Sequence, residues 1–163
     1  MQWRRGVYTH WQRQFLHPML KALDAPSREE CTAQRPRSNT PLEALALLND
    51  PTFVIAAKGL AARVMREVAC GDGDSTVEFR RIDRMMKIAV GRAASRVEHN
   101  ALSKLLADER KRLESHADQC EQFLQTPDDV PIAWPEADNP AERAAWSSVA
   151  RAVLNLHETI ARP

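Results

Sequence analysis

Residues 40–51 read Thr-Pro-Leu-Glu-Ala-Leu-Ala-Leu-Leu-Asn-Asp-Pro, and this stretch contains two helix starts in succession. Thr40 and Glu43 have the spacing of a capping box, and the proline between them takes the first helical position, where its missing N–H costs nothing. Asp50 and the proline after it repeat the device, because an aspartate accepts hydrogen bonds from the free N–H groups of a helix's first turn. The stretch therefore predicts two consecutive helices.

Apolar side chains keep helical spacing through most of the chain that follows. One apolar stripe runs from Phe53 to Val68, and another runs from Val77 to Val90 before Gly91. A further capping box opens the longest pattern, residues 95–124, and an Asn-Pro pair at 139–140 opens the last one. These signals predict about five helices in a compact orthogonal or bundle-like array, so the fold class is mainly α.

The first 38 residues lack helical spacing and are predicted to form an extended or irregular arm that packs on the helices. Three prolines interrupt regular structure there, whereas residues 6–12 mix side chains that favour strands. One short strand pair is compatible with that mixture. The expected organisation is a single domain that combines this N-terminal arm, residues 1–38, with a helical part, residues 39–163.

Composition excludes several classes of protein. The chain has 163 residues, 44% of them hydrophobic, and its 23 basic and 22 acidic side chains give a net charge of +1. A charge so near zero creates no global field that would attract nucleic acid or an anionic membrane. No apolar run approaches the roughly 20 residues that cross a bilayer, and no signal peptide is visible. As written, the chain is expected to remain cytoplasmic, without membrane insertion or nucleic acid as a partner.

Residues with catalytic or metal-binding spacing are scarce. The three cysteines are far apart in the sequence and are expected to be reduced. His116 and Cys120 are one helical turn apart and could offer two zinc ligands, but no second pair is indicated, so Cys120 is expected to be a core thiol. The chain contains no nucleotide-binding, hydrolase or metalloprotease motif. No metal or cofactor is therefore predicted, and the catalytic residues, if any, are unknown.

The densest polar group precedes the first predicted helix and contains Arg28, Arg35, Arg37 and Asn39. Arginine forks beside a helix N-terminus could bind a carboxylate, sulfate or phosphate, which would make this segment an enzyme's site or an anion-binding site. Alternatively, the arginines tie an irregular segment to carbonyls and acids of the helices, because a loop without regular hydrogen bonds needs such partners. We favour the structural ties and keep the anion site as the alternative.

Several stretches of the chain resemble one protein family. They are Arg4-Arg5-Gly-Val-Tyr-Thr-His-Trp11, Asp24-Ala-Pro-Ser-Arg-Glu-Glu-Cys-Thr32 and the long block from Arg35 to Phe53. The block has fixed internal spacing and is more specific than a short motif. The chain resembles the C-terminal part of the "domain of unknown function 1553" family, which is typical of planctomycetes, and residues 89–92 and 150–156 look like that family's ending.

What the resemblance implies is organisational. Members of the family are typically long exported proteins in which this domain follows another domain of unknown function and, often, a cytochrome c-like domain that attaches haem. No catalytic mechanism can be carried over from the family. The chain is therefore expected to be a non-catalytic structural or interaction module, a C-terminal fragment whose partners are upstream domains of the family or another protein. Surface that those domains would cover, around Tyr8, Trp11 and Phe15, is expected to be exposed and to favour self-association.

Overall fold

The computed structural model describes residues 8, 10, 15–26, 31, 33, 40–68, 75–126, 130–135 and 139–160. These residues are mainly helical, as predicted, and they contain eight α-helices and no strand. The helices are α1 (Pro18–Ala22), α2 (Pro41–Asn49), α3 (Pro51–Glu67), α4 (Ser75–Ala89), α5 (Arg96–Glu114), α6 (Ala117–Leu124), α7 (Pro140–Leu154) and α8 (His157–Ile160).

Four helices begin at the polar side chains that the sequence indicates. Asp50 accepts the Thr52 N–H at 2.8 Å at the start of α3, and Asn139 accepts the Glu142 N–H at 2.7 Å at the start of α7. Ser95 and the third residue of α5, Glu98, form both bonds of a capping box. At α2 the Thr40 hydroxyl accepts a backbone N–H at 3.2 Å, so this helix is capped as well. Each cap satisfies an N–H group that the helix itself leaves without a partner.

The core forms around α7, which packs against α3, α5 and α6 and also meets α4. Its buried residues include alanines and valines together with Trp146, so it combines close helix approach with one large anchor. Apolar side chains of the neighbouring helices complete the cluster, among them Val64, Ile82 and Leu106. Most residues predicted to face inward on these helices lie in or against this core, but Phe53 and Val68, at the two ends of the stripe on α3, do not.

The predicted count of about five helices was wrong because two long patterns are interrupted and a short helix was missed. The pattern at 95–124 breaks at Ser115 and His116, whose side chains both reach the carbonyl oxygen of Arg112, at 3.0 and 2.8 Å. Polar side chains that bond nearby backbone compete with the helical ladder. His116 consequently has non-helical angles, φ −137° and ψ 53°, and a new helix follows it.

The other two helices that were not predicted lie near the ends of the chain. The last predicted helix is divided at residues 155–156, where the Thr159 hydroxyl bonds the Val153 carbonyl at 2.9 Å. In the N-terminal arm, Pro18 does not interrupt regular structure; it occupies the first position of α1. The predicted strand pair is not seen, although only Tyr8 and His10 of residues 6–12 are described.

Gly91 ends α4 as predicted. Its φ of +87° lies in the left-handed region, and its N–H bonds the Met86 carbonyl at 3.2 Å, closing the last turn. Within the described ranges no single helix has both the length and the apolarity to cross a membrane; α2 and α3 meet the test only together, with a bend of 62° between them.

Candidate functional site

The anion site predicted from the sequence lies outside the described residues. Arg28, Arg35, Arg37 and Asn39 all belong to undescribed parts of the chain, so the choice between an anion site and structural ties stays a prediction. The cap residue Thr40, directly after them, is described, and its hydroxyl bonds α2.

His116 and Cys120, the pair with metal-binding spacing, each bond main-chain carbonyl oxygens. Cys120 is fully buried, and its thiol donates to the carbonyl oxygens of His116 and Leu113 at 3.3 and 3.6 Å. The His116 ring nitrogen Nδ1 instead lies 2.8 Å from the Arg112 carbonyl oxygen. Among the described residues no group of three or more histidine, cysteine, aspartate or glutamate side chains could hold a metal ion. Cys120 is a core thiol, as the sequence suggested.

A network of charged side chains joins three helices at the edge of the core. Arg110 on α5 donates two hydrogen bonds to Glu142 on α7, at 2.9 and 2.6 Å, and a third to Glu78 on α4 at 3.1 Å. The Trp146 indole N–H donates to Glu142 at 2.8 Å. Glu142 thus accepts three side-chain hydrogen bonds, and the network ties α4, α5 and α7 together.

The same network controls the ionisation of its glutamate. Burial is the largest single influence on the pKa of Glu142 and acts to raise it. The hydrogen bonds and charge of Arg110, with smaller contributions from Trp146 and Arg81, outweigh burial and hold that pKa below its ordinary value. A lowered pKa makes this carboxylate a weaker base, and its oxygens already accept bonds from Arg110 and Trp146.

Arg81 on α4 packs against the Trp146 ring. Only 2% of the residue is exposed, its guanidinium carbon is 5.6 Å from the ring centroid, and its Nε donates to the Val68 carbonyl at 3.0 Å. The Val68 carbonyl belongs to the end of α3, where the helix leaves it free. Arg81 therefore closes a helix end and packs against the aromatic anchor of the core.

Other cations of the helical part also end on main-chain carbonyls of distant segments. Lys58 Nζ donates to the Gln125 carbonyl at 3.0 Å and lies 4.9 Å above the Phe123 ring. Burial, and secondarily the charge of Arg151, lower the pKa of this lysine. Three further hydrogen bonds from arginine side chains to main-chain carbonyls of distant segments join Arg66 to Ala133, Arg143 to Pro135 and Arg151 to Leu48.

Arg92, after α4, joins two acids at the surface. It donates paired bonds to Glu98 at 2.9 and 2.7 Å and to Glu158 at 2.9 and 2.7 Å. Bonds from Arg92, together with those from Ser95, lower the pKa of Glu98 to about 2. The arrangement connects the start of α5 with α8 and leaves both carboxylates paired.

One cavity within the described part of the chain is lined by both polar and apolar residues. It has a volume of about 90 Å³ and lies between α2 and the junction of α7 with α8; its lining consists of Glu43, Ala44, Leu47, Asn155, His157 and Ile160. Glu43 is only 5% exposed, and no described residue donates to its Oε2. The side-chain oxygen of Asn155 is likewise buried and without a described partner.

Neither the charge network nor the cavity was predicted from the sequence. The network's glutamate and tryptophan are four residues apart on one helix, which is a detectable signal, but Arg110 is 32 residues from either of its acids. For the cavity, the capping-box spacing of Glu43 predicted a different role for this residue. Glu43 was assigned to a capping box, yet only the Thr40 half of the box forms, and the glutamate side chain lines the cavity.

Comparisons with known proteins place the chain in a family. No curated protein and no solved structure matches this chain. The sequence model of the PSD1 family, described as a protein of unknown function (DUF1553), matches residues 1–106. That region includes the block from Arg35 to Phe53 on which the resemblance rests, whereas the expected family ending at residues 150–156, and all of α7, lie beyond it. Because the match covers well over half of the chain, the protein belongs to the PSD1 family of proteins of unknown function (DUF1553).

Proposed function

We propose that this domain is a non-catalytic structural or interaction module within a longer exported, haem-linked protein. The structural role is supported by the hydrogen bonds that the cationic side chains of the domain make. Arg81, Arg110 and Lys58 donate hydrogen bonds to internal acids and main-chain carbonyls. Such bonds fix one helix against another, which is a structural task. The exported, haem-linked setting rests on the family resemblance.

The outer face of α2 is the surface best suited to a partner. Leu42 and Leu45 lie three residues apart on this helix and are 63% and 56% exposed, whereas Glu43 and Leu47 on its other side are buried. Large apolar side chains that share one exposed helix face favour contact with another protein. We assign this face to an upstream domain of the same protein.

Two aromatic residues of the N-terminal arm add exposed apolar surface. Tyr8 is 69% exposed and Phe15 is 73% exposed. Phe15 precedes α1, which packs against α2. Trp11, the third aromatic residue expected in this patch, lies outside the described residues.

The proposal is tested by self-association, because a docking face without its partner tends to contact a second copy. Sedimentation of the full chain over a series of concentrations should give an average mass that rises with concentration. The double substitution Leu42→Ser and Leu45→Ser should move the mass toward that of a monomer without lowering the unfolding midpoint.

Val97→Ser is the matched control, because Val97 is 79% exposed on α5 and lies outside the proposed face. This variant should associate like the unsubstituted chain. A strictly monomeric chain at all concentrations, or an equal effect of Val97→Ser, would contradict the assignment of the α2 face.

A further inference from the structure

Residues 130–135, in the connection between α6 and α7, form an extended strap that lies on the helices. Val130, Ile132 and Trp134 are half-buried, whereas the two residues between them are exposed. This alternation is that of an extended chain, whose successive side chains point to opposite sides. Trp134 also packs against the core. The strap therefore resembles a bound peptide with one anchoring side chain.

Two arginines from different helices hold the strap through its main chain. Arg66 on α3 donates to the Ala133 carbonyl oxygen at 2.9 Å, and Arg143 on α7 donates to the Pro135 carbonyl oxygen at 2.7 Å. Trp134 lies between these two carbonyls in the sequence, so the arginine bonds flank the anchor. Every peptide carries main-chain carbonyls. The arginines thus recognise an extended backbone rather than a particular side chain.

The strap is attached to the helices by few interactions. It belongs to no helix, and among the described residues no main-chain hydrogen bond joins residues 130–135 to another segment. The bond from Arg66 is exposed to solvent, and the anchor Trp134 is only half-buried. Segments with few buried contacts open at a lower free energy than the whole domain. The strap can therefore open while the helices stay folded.

The sequence of the strap favours the extended form without help from the helices. The prolines at 131 and 135 fix their own φ and restrict the residues before them, Val130 and Trp134, to extended angles. A free segment of this type is already close to its bound shape, so it loses little conformational entropy on binding. Its contacts with Arg66 and Arg143 need no covalent connection to α6 and α7. The same contacts are open to a segment of another protein.

We propose that the surface beneath the strap is a binding site for an extended segment of a partner protein, and that the strap occupies this site until the partner binds. The partner segment presents a tryptophan next to a proline, and its main-chain carbonyls accept the bonds of Arg66 and Arg143. Because the strap must open first, it competes with the partner and lowers the partner's apparent affinity. The site uses other residues than the α2 face and does not depend on the assignment of that face.

The test measures binding of a synthetic peptide with the sequence of residues 126–139. Trp134→Ala in the full chain removes the anchor of the strap and should lower the unfolding midpoint. The peptide should raise the midpoint of this variant with increasing concentration, because a ligand that binds the folded state stabilises it. The unsubstituted chain should need a peptide concentration about tenfold higher for the same shift, because its own strap fills the site. A peptide with alanine in place of the tryptophan should have no effect on either chain.

A second substitution locates the bound peptide. In the Trp134→Ala chain, Arg66→Ala should weaken peptide binding about threefold or more, because a hydrogen bond to the peptide main chain is lost. Arg63→Ala is the matched control: Arg63 lies one turn earlier on α3 and bonds Glu67, so its removal should leave binding unchanged. If Trp134→Ala does not fold, Trp134→Leu keeps an apolar side chain at the anchor, and the same order of affinities is expected.

Three results would overturn the proposal. They are an absence of peptide binding to the folded variant, equal effects of the two peptides, and equal affinity of the peptide for the variant and for the unsubstituted chain. Each of them would mean that the strap is a fixed part of the fold or that the peptide binds elsewhere. The sedimentation experiment on the α2 face has a separate readout, so either proposal can fail without the other.

Discussion

Arg110 and Glu142 join α5 to α7 through two hydrogen bonds, 2.9 Å from Nε and 2.6 Å from Nη2. Paired bonds of this kind fix the relative orientation of two planar groups as well as their distance. Trp146, one turn further along α7, donates to the same carboxylate and is fully buried in the core. The position of the central helix is therefore linked to an ion pair at the edge of the core.

The cap shared by α2 and α3 should contribute measurably to stability. Asp50→Ala removes the bond to the Thr52 N–H and should lower the free energy of unfolding by about 1 kcal/mol. Chemical denaturation measures the change. Asp108→Ala is the control: this aspartate is exposed within α5, and its substitution should stay within about 0.5 kcal/mol. Equal losses in both variants would show that Asp50 does not act as a cap.

Acid should destabilise the fold in a defined range of pH. The folded state holds the pKa of Glu98 and of Glu67 at about 2, and it also lowers the pKa of Glu142. A lowered pKa gives stability that is present above the unfolded value, about 4.3, and is lost as the pH falls toward the folded value. The unfolding midpoint should therefore decline between about pH 4.5 and 2.

The variant Glu98→Gln tests the cause of this decline. It removes one of the carboxylates paired with Arg92, so its midpoint should depend less on pH in that range. Melting curves of both proteins at several values of pH provide the measurement. Curves that remain parallel throughout would mean that Glu98 has the same pKa in the folded and unfolded states.

The cysteines should differ in reactivity. Cys31 is exposed, whereas Cys120 is fully buried with its thiol bonded to two carbonyls. Iodoacetamide should modify Cys31 in the folded protein and reach Cys120 only after unfolding, because burial hinders access of the reagent. Mass spectrometry of the modified peptides gives the two rates. Similar rates under native conditions would contradict the core position of Cys120.

The arginine-rich segment remains a prediction with two opposite outcomes. If Arg35 and Arg37 are structural ties, replacing Arg35 with Ala should lower stability by roughly 1 to 3 kcal/mol, with no effect of added sulfate. If they form an anion site, sulfate should raise the midpoint of the unsubstituted chain and not that of the variant. We expect the first outcome, and a sulfate-dependent rise that Arg35→Ala abolishes would establish the second.

Local signals in the sequence predicted the parts of the fold that depend on neighbouring residues. Thr40, Asp50, Ser95 and Asn139 cap helices, and Gly91 ends one, because each acts on backbone groups within a few residues. The apolar stripes likewise predicted the buried faces. These features can be predicted without information about contacts between residues that are distant in the sequence.

The features of the fold that were not predicted depend on tertiary contacts and on competition between side chains. Residue spacing in the sequence does not encode either of these. The capping-box spacing at Thr40 and Ser95 is the same, yet only Glu98 completes the box, whereas Glu43 lines the cavity beside Asn155. The break at His116 arose from competition for a single carbonyl within a long helical pattern. Tertiary contacts and side-chain competition of this kind override local patterns.

The most direct test of the account is a double-mutant cycle on Arg110 and Glu142. Arg110→Ala and Glu142→Gln should each lower the free energy of unfolding, and the pair should show a coupling energy of about 1 kcal/mol or more. Arg110 is about one third exposed, so the effect should be smaller than the 3–5 kcal/mol typical of breaking a fully buried pair. If both substitutions instead leave stability unchanged or raise it, the network is not a structural tie, and its charges are available for a function of another kind.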